Sequence, residues 1–155
     1  MSFKKFEFSR QGNFILALLL VHFVFFGYIC NVYERTITEE VLFLHLVLFN
    51  PTSFFAFIIL FAIVFILVFR EQFFEYGLRN SMWLIPFIMF ESWIWYWFII
   101  LEFDITVIGM YFLRFETYIT LFTLFGIILI SAIIAAAAKE KYKSYIDKVK
   151  KLKTN

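Results

Sequence analysis

Four runs of about 20 mostly apolar residues, at positions 13–33, 53–69, 81–101 and 118–138, constrain this chain more than any other feature. A helix of that length crosses the ~30 Å hydrocarbon core of a bilayer. The remaining composition agrees. Of 155 residues, 63% are hydrophobic and 24% aromatic, with a mean hydropathy of +0.87. A soluble domain of this size has no interior large enough for that much apolar surface. The expected fold class is an all-α integral membrane protein, a single membrane domain over 1–155 with four transmembrane helices. The first run follows Lys4, Lys5 and Arg10 and has no small-residue cleavage pattern. It reads as a signal anchor.

The charges orient the spans. Twelve of the 14 basic residues lie in the N-terminal segment, the second loop and the C-terminal tail: Lys4, Lys5, Arg10, Arg70, Arg79 and seven lysines from Lys139 to Lys153. Loops one and three hold only Arg35 and Arg114, against Glu34, Glu39, Glu40, Glu102, Asp104 and Glu116. Four spans place these sets on opposite faces. The positive-inside rule then puts both termini on the cytoplasmic or matrix side.

Residues 39–49 fit no span. Thr36 and Glu39 have capping-box spacing, and an apolar stretch containing His45 follows, up to Asn50-Pro51. Joined to the second run, residues 41–69 would form a helix of about 43 Å, too long for the bilayer core. The reading is a short interfacial helix over 39–49, broken at Pro51; the alternative is one long, kinked second helix. Pro86 in the third span marks a kink or an early-turn accommodation.

Glu91 is the costly residue. An ionisable side chain at bilayer depth is penalised by roughly 3 kcal/mol on insertion scales, and it is usually turned inward and partnered. With both termini inside, spans one and three run in the same direction. His22 and Glu91 then lie at equal depth, about 14–15 Å from the inner boundary. A His–Glu pair suits proton handling, because imidazole titrates near neutral pH and responds to a neighbouring carboxylate. The plainer readings are a buried hydrogen bond that fixes helix register, a protonated Glu91 bonded to a Trp indole, or contact with another subunit. Trp95, one turn from Glu91 on the same face, is the candidate indole donor. Trp83, Trp93 and Trp97 fit better as an aromatic belt.

Two faces invite packing. Phe54, Phe57, Phe61, Phe65 and Phe69 fall within about a 120° arc on span two. Thr120, Thr123, Ser131, Ala135 and Ala138 form a similar arc of small residues on span four, which permits close approach. Beyond residue 138, Tyr142, Tyr145, Ile146, Val149 and Leu152 recur at helical spacing among lysines. The tail, 139–155, is expected to be an amphipathic basic helix continuing span four. Lys139, Lys141, Lys143, Lys148, Lys150 and Lys151 are its candidate contacts to anionic lipid or to a partner helix.

Soluble-type catalysis finds no support in the chain. It has one cysteine, Cys30, and two histidines, with no phosphate-binding glycine loop and no nucleophile–base–acid set. Axial haem ligation by His22 and His45 would need both aimed at one iron, and the topology places them at different depths. No cofactor, metal or nucleic-acid partner is expected. Two fragments, VLFLHLVLFN at 41–50 and ILISAIIAA at 128–136, resemble stretches of the sixth membrane subunit of respiratory complex I. That family has five spans and a Tyr-x-Gly-Ala stretch in a distorted third helix, which this chain lacks. The expected function is that of a small, non-enzymatic accessory subunit of a larger, energy-transducing membrane complex, in a bacterial or archaeal cytoplasmic membrane or the mitochondrial inner membrane. The alternative is a small oligomeric proton- or cation-coupled transporter using Glu91 and His22.

Overall fold

The computed structural model describes the backbone of residues 2–32, 39–51, 54–71 and 73–153, with side-chain surroundings for 11–31, 40–51, 54–71 and 73–149. Among the described residues the chain is all-helical, with no strand. The helices are α1 (Ser2–Leu20), α2 (Gly27–Val32), α3 (Glu39–Leu42), α4 (His45–Leu48), α5 (Phe54–Arg70), α6 (Phe74–Ile100), α7 (Thr106–Leu113) and α8 (Phe115–Lys153). A π-helical segment, Val21–Phe26, joins α1 to α2 without a break in the rod. Among the described residues three helical stretches are long and apolar enough to cross a membrane: Gln11–Asn31, Phe74–Ile100 and Phe115–Val149. α5 is apolar but has 17 residues.

Paired contacts fix the directions of the long helices. His22 meets Glu91, and four residues further along each helix Phe26 stacks on Trp95 at 6.4 Å. The α1–α2 rod therefore runs parallel to α6. The Ser131 hydroxyl donates to the Phe61 carbonyl, and further along Phe69 packs on Tyr142, so α5 and α8 are also parallel. α5 and α6, next to each other in the chain, also pack against each other. Tyr28, late in the first rod, meets Phe55, early in α5, and these two run antiparallel. The four long elements thus alternate in direction.

α5 is the hub and packs against α1, α6 and α8. Its buried face is Ala56, Leu60, Ile63, Val64, Leu67 and Val68. This differs from the expected ridge. The phenylalanines flank the contact as stacked pairs, Phe54–Phe57, Phe57–Phe61 and Phe65–Phe69, with Phe54 exposed. Their rings are too bulky for the close seam, which takes small and branched side chains instead. On α8 the small-residue arc does face inward: Thr120, Ser131 and Ala135 are buried beside Leu124, Ile128 and Ala132.

Several boundaries move. α6 begins seven residues before the expected span, so the expected second loop shrinks to a turn. Burying Gly77 against Val68 supports this early start. A Cβ at Gly77 would lie 3.2 Å from Val68 Cγ1 and 3.3 Å from Val68 Cα. Pro86 sits well inside α6, which rules out the early-turn accommodation. Residues 39–49 are not one helix but two short turns, α3 and α4, interrupted at Phe43–Leu44. Val41, Phe43, Leu44, Val47 and Leu48 are buried within the bundle, so this segment plugs one end of it. The alternative of a single kinked helix is also excluded. Thr36 of the expected capping box lies outside the described residues. The third loop contains a further short helix, α7, which packs Tyr111 against Phe43 at 5.6 Å. Leu101 ends α6 in the left-handed region, at φ 58°. α8 continues unbroken through the basic tail to Lys153.

Gly77→Val is expected to destabilise the α5–α6 contact by about 1–3 kcal/mol, because the backbone of Val68 leaves no room for the side chain. Unfolding monitored in detergent by Trp fluorescence measures it; an unchanged midpoint would show that the close approach is dispensable.

Candidate functional site

His22 occupies the second position of the π-helical segment. A π turn carries one extra residue per hydrogen-bonded loop, so it rotates the side chains around it relative to an ideal helix. His22 faces α6 from the start of this segment. His22 Nδ1 lies 2.7 Å from Glu91 Oε2. With Glu91 ionised, the imidazole N–H donates; with Glu91 protonated, the carboxyl donates to the ring nitrogen. The Glu91 side chain is 9% exposed and that of His22 is 35% exposed. The carboxyl is therefore enclosed, while one flank of the imidazole reaches the bundle perimeter between exposed Leu19 and Phe23.

Aromatic rings close the rest of the site. Phe23 meets His22 edge-on at 4.7 Å, and the Trp95 ring lies 5.5 Å from it. Phe26 stacks on Trp95 at 6.4 Å with only 9° between the ring planes. The expected Trp95–Glu91 hydrogen bond does not form. The Trp95 indole nitrogen is buried with no hydrogen-bond partner among the described residues. The ring stacks on Phe26 and lies tilted at 39° to the His22 imidazole. Trp95 shapes the site by covering the imidazole.

The other indoles divide. Trp93 packs against Tyr111 and Phe112 of α7, and its N–H also lacks a partner. Trp97 donates to the Asp104 carbonyl at 3.0 Å, which ties the end of α6 to the next loop. Trp83 is exposed. Asp104 accepts from both the hydroxyl and the backbone N–H of Thr106, and these bonds hold its carboxyl below the usual carboxylate range.

Sequence reasoning did not pair His45. Its Nδ1 lies 2.9 Å from Thr120 Oγ1, which links α4 to α8. Burial lowers its pKa, and nearby Glu116 opposes the shift. His45 and His22 engage different partners in different parts of the bundle. A second missed contact is Glu71, which is buried and accepts from Asn80 at 3.3 Å across the α5–α6 turn. No sequence pattern announced either pair, because each depends on how non-adjacent helices meet. The tail residues Lys139, Lys141, Lys143 and Lys148 lie on α8, with Lys139 partly buried; the side chains of Lys150 and Lys151 lie outside the described residues. Among the described residues no group of three or more His, Cys, Asp or Glu side chains is placed to hold a metal ion.

The arrangement can hold or exchange a proton between imidazole and carboxyl in an aromatic enclosure. No protein-family model, curated protein sequence or solved structure matches this chain.

Two measurements probe these contacts. A double-mutant cycle with His22→Gln and Glu91→Gln should return a coupling of about 0.5–2 kcal/mol, the range of hydrogen-bonded pairs between membrane helices; zero coupling would mean that the two groups do not interact. His45 favours its neutral form in the fold. Its contribution is therefore complete above the unfolded value of 6.5 and is lost as pH falls through the lower folded value. Replacing it by Gln should flatten the decline of thermal stability as pH falls below 6.5, as read by melting in detergent at a series of pH values.

Proposed function

We propose that this chain is a four-span, non-enzymatic subunit of a larger membrane assembly, docked through the perimeter around His22. Two observations support four spans. α5 is surrounded by three longer apolar helices, and its 17 residues reach about 26 Å, within the range that crosses a bilayer. The alternating helix directions also gather Arg70, Arg79 and Lys139 at one end. Glu102, Asp104 and Glu116 then lie at the other. The positive-inside rule assigns the basic end to the cytoplasm or matrix.

The observation that carries the docking is the incomplete enclosure of the polar pair. Leu19, His22 and Phe23 leave an imidazole on a surface otherwise suited to lipid, where Trp95 also carries exposed Phe98 against its ring. A polar group facing hydrocarbon is unfavourable, and a partner helix laid over this stripe removes the penalty. Phe23 and Leu19 would be its apolar anchors.

Native electrophoresis in mild detergent tests the reading. The chain should migrate in a heteromeric complex well above its own 18.7 kDa, and Leu19→Ala combined with Phe23→Ala should release it. Migration as a monomer or a small homo-oligomer would overturn the proposal. A homo-oligomer would favour the second reading, proton-coupled transport, for which the 2.7 Å His22–Glu91 separation is the supporting observation. In that case Glu91→Gln should abolish pH-driven flux in proteoliposomes, and unchanged flux would exclude it.

A further inference from the structure

α5 ends at Arg70, and there the bundle opens. Phe69, Arg70 and Phe73 on one side and Lys139, Tyr142 and Lys143 on the other line an open cleft of about 520 Å³. The two sides come from elements distant in sequence, and the Phe69–Tyr142 ring contact at 6.0 Å forms its floor. Lys139 and Lys143 are one turn apart on α8, so both ammonium groups reach the same space. Arg70 supplies a planar guanidinium from across the gap. Glu71 and Glu140 line the adjoining cleft together with the same two lysines. They offset part of the positive charge without filling this space, and Glu71 is already engaged by Asn80.

The position of the cleft selects its ligand. It lies where the apolar stretch of α5 gives way to charge, the level at which hydrocarbon meets head groups in the membrane reading above, on which this inference rests. Three cations suit a phosphate. Three aromatic rings beside them suit the glycerol and upper acyl region attached to that phosphate. A free anion would gain nothing from the rings. We propose that this cleft is a binding site for an anionic phospholipid, with Arg70, Lys139 and Lys143 around the phosphate and Phe69 and Phe73 against the upper acyl chain.

The test uses the full-length chain purified in mild detergent. Native mass spectrometry measures retention of phosphatidylglycerol against phosphatidylcholine, and thermal melting is compared with added phosphatidylglycerol or with inorganic phosphate alone. Phosphatidylglycerol should be retained preferentially and should raise the melting temperature, while inorganic phosphate should do neither. Arg70→Gln and Lys143→Gln, both at exposed positions, should each weaken the preference roughly fivefold. Arg79→Gln, exposed on α6 outside the cleft, should leave it intact. Equal retention of the two lipids would overturn the site. An equal loss in Arg79→Gln would overturn it in favour of diffuse attraction to the basic end. Equal protection by inorganic phosphate would overturn the lipid assignment. The membrane reading fails separately: alkaline washing of membranes would then release the chain.

Discussion

Everything in this bundle leans on the seam around α5. A membrane helix gains little from burying apolar surface against another helix, because lipid tails are equally apolar; association rests on close packing and on hydrogen bonds between helices. α5 carries no polar side chain through its middle, so its contribution is shape. Its buried positions include Ala56, Leu60 and Val64, and Gly77 lets α6 come within contact of the Val68 backbone. The single side-chain hydrogen bond across the α5–α8 seam, among the described residues, uses a backbone carbonyl of α5, Phe61, as acceptor for Ser131. With α5 fixed, α1 and α6 both pack on it and on each other, and the His22–Glu91 contact becomes possible.

Polar groups inside the bundle follow the rule that burial demands a partner. Ser81 and Ser92 bond back to carbonyls of their own helix, Gly77 and Met89. Thr117 donates to the Tyr111 carbonyl, Thr120 joins His45, and Glu71 joins Asn80. Among the described residues the exceptions are the N–H groups of Trp93 and Trp95 and the hydroxyl of Tyr111, whose burial also pushes its pKa up to about 12. These three donors cluster around α6 and its contacts. Their rings are fixed by aromatic stacking, and stacking geometry has taken precedence over hydrogen bonding.

The candidate site was half legible in the sequence. Equal depth of His22 and Glu91 follows from counting residues along two parallel helices, and the structure adds the azimuth. At that azimuth His22, within the π-helical segment, faces α6, and no residue in VHFVFF marks it. Trp95 shows the converse. Its spacing from Glu91 suggested a hydrogen bond within one helix, but Phe26 from the neighbouring rod captured the ring first. The segment 39–49 misled for a similar reason. Nine residues, apolar except for His45, are too few to cross a bilayer and suggested one short interfacial helix. The segment instead forms two turns, with Val41, Phe43, Leu44, Val47 and Leu48 buried and Leu46 and Phe49 exposed.

Sequence alone determined the helical class, the apolar runs, the segregation of charge to alternate ends and the one carboxyl that needed explaining. Each of these is a property of composition and spacing along a single chain. The tertiary structure decided which face of α5 is buried, where the chain turns between α5 and α6, and that His22 meets Glu91 while Trp95 covers it. It also decided that Arg70 meets Lys139 and Lys143 in one cleft. The reason is that a helix period places side chains only relative to their own axis. The rotation of one helix against the next is set by steric fit, here by a glycine and a row of small side chains, and that fit exists only once the helices meet.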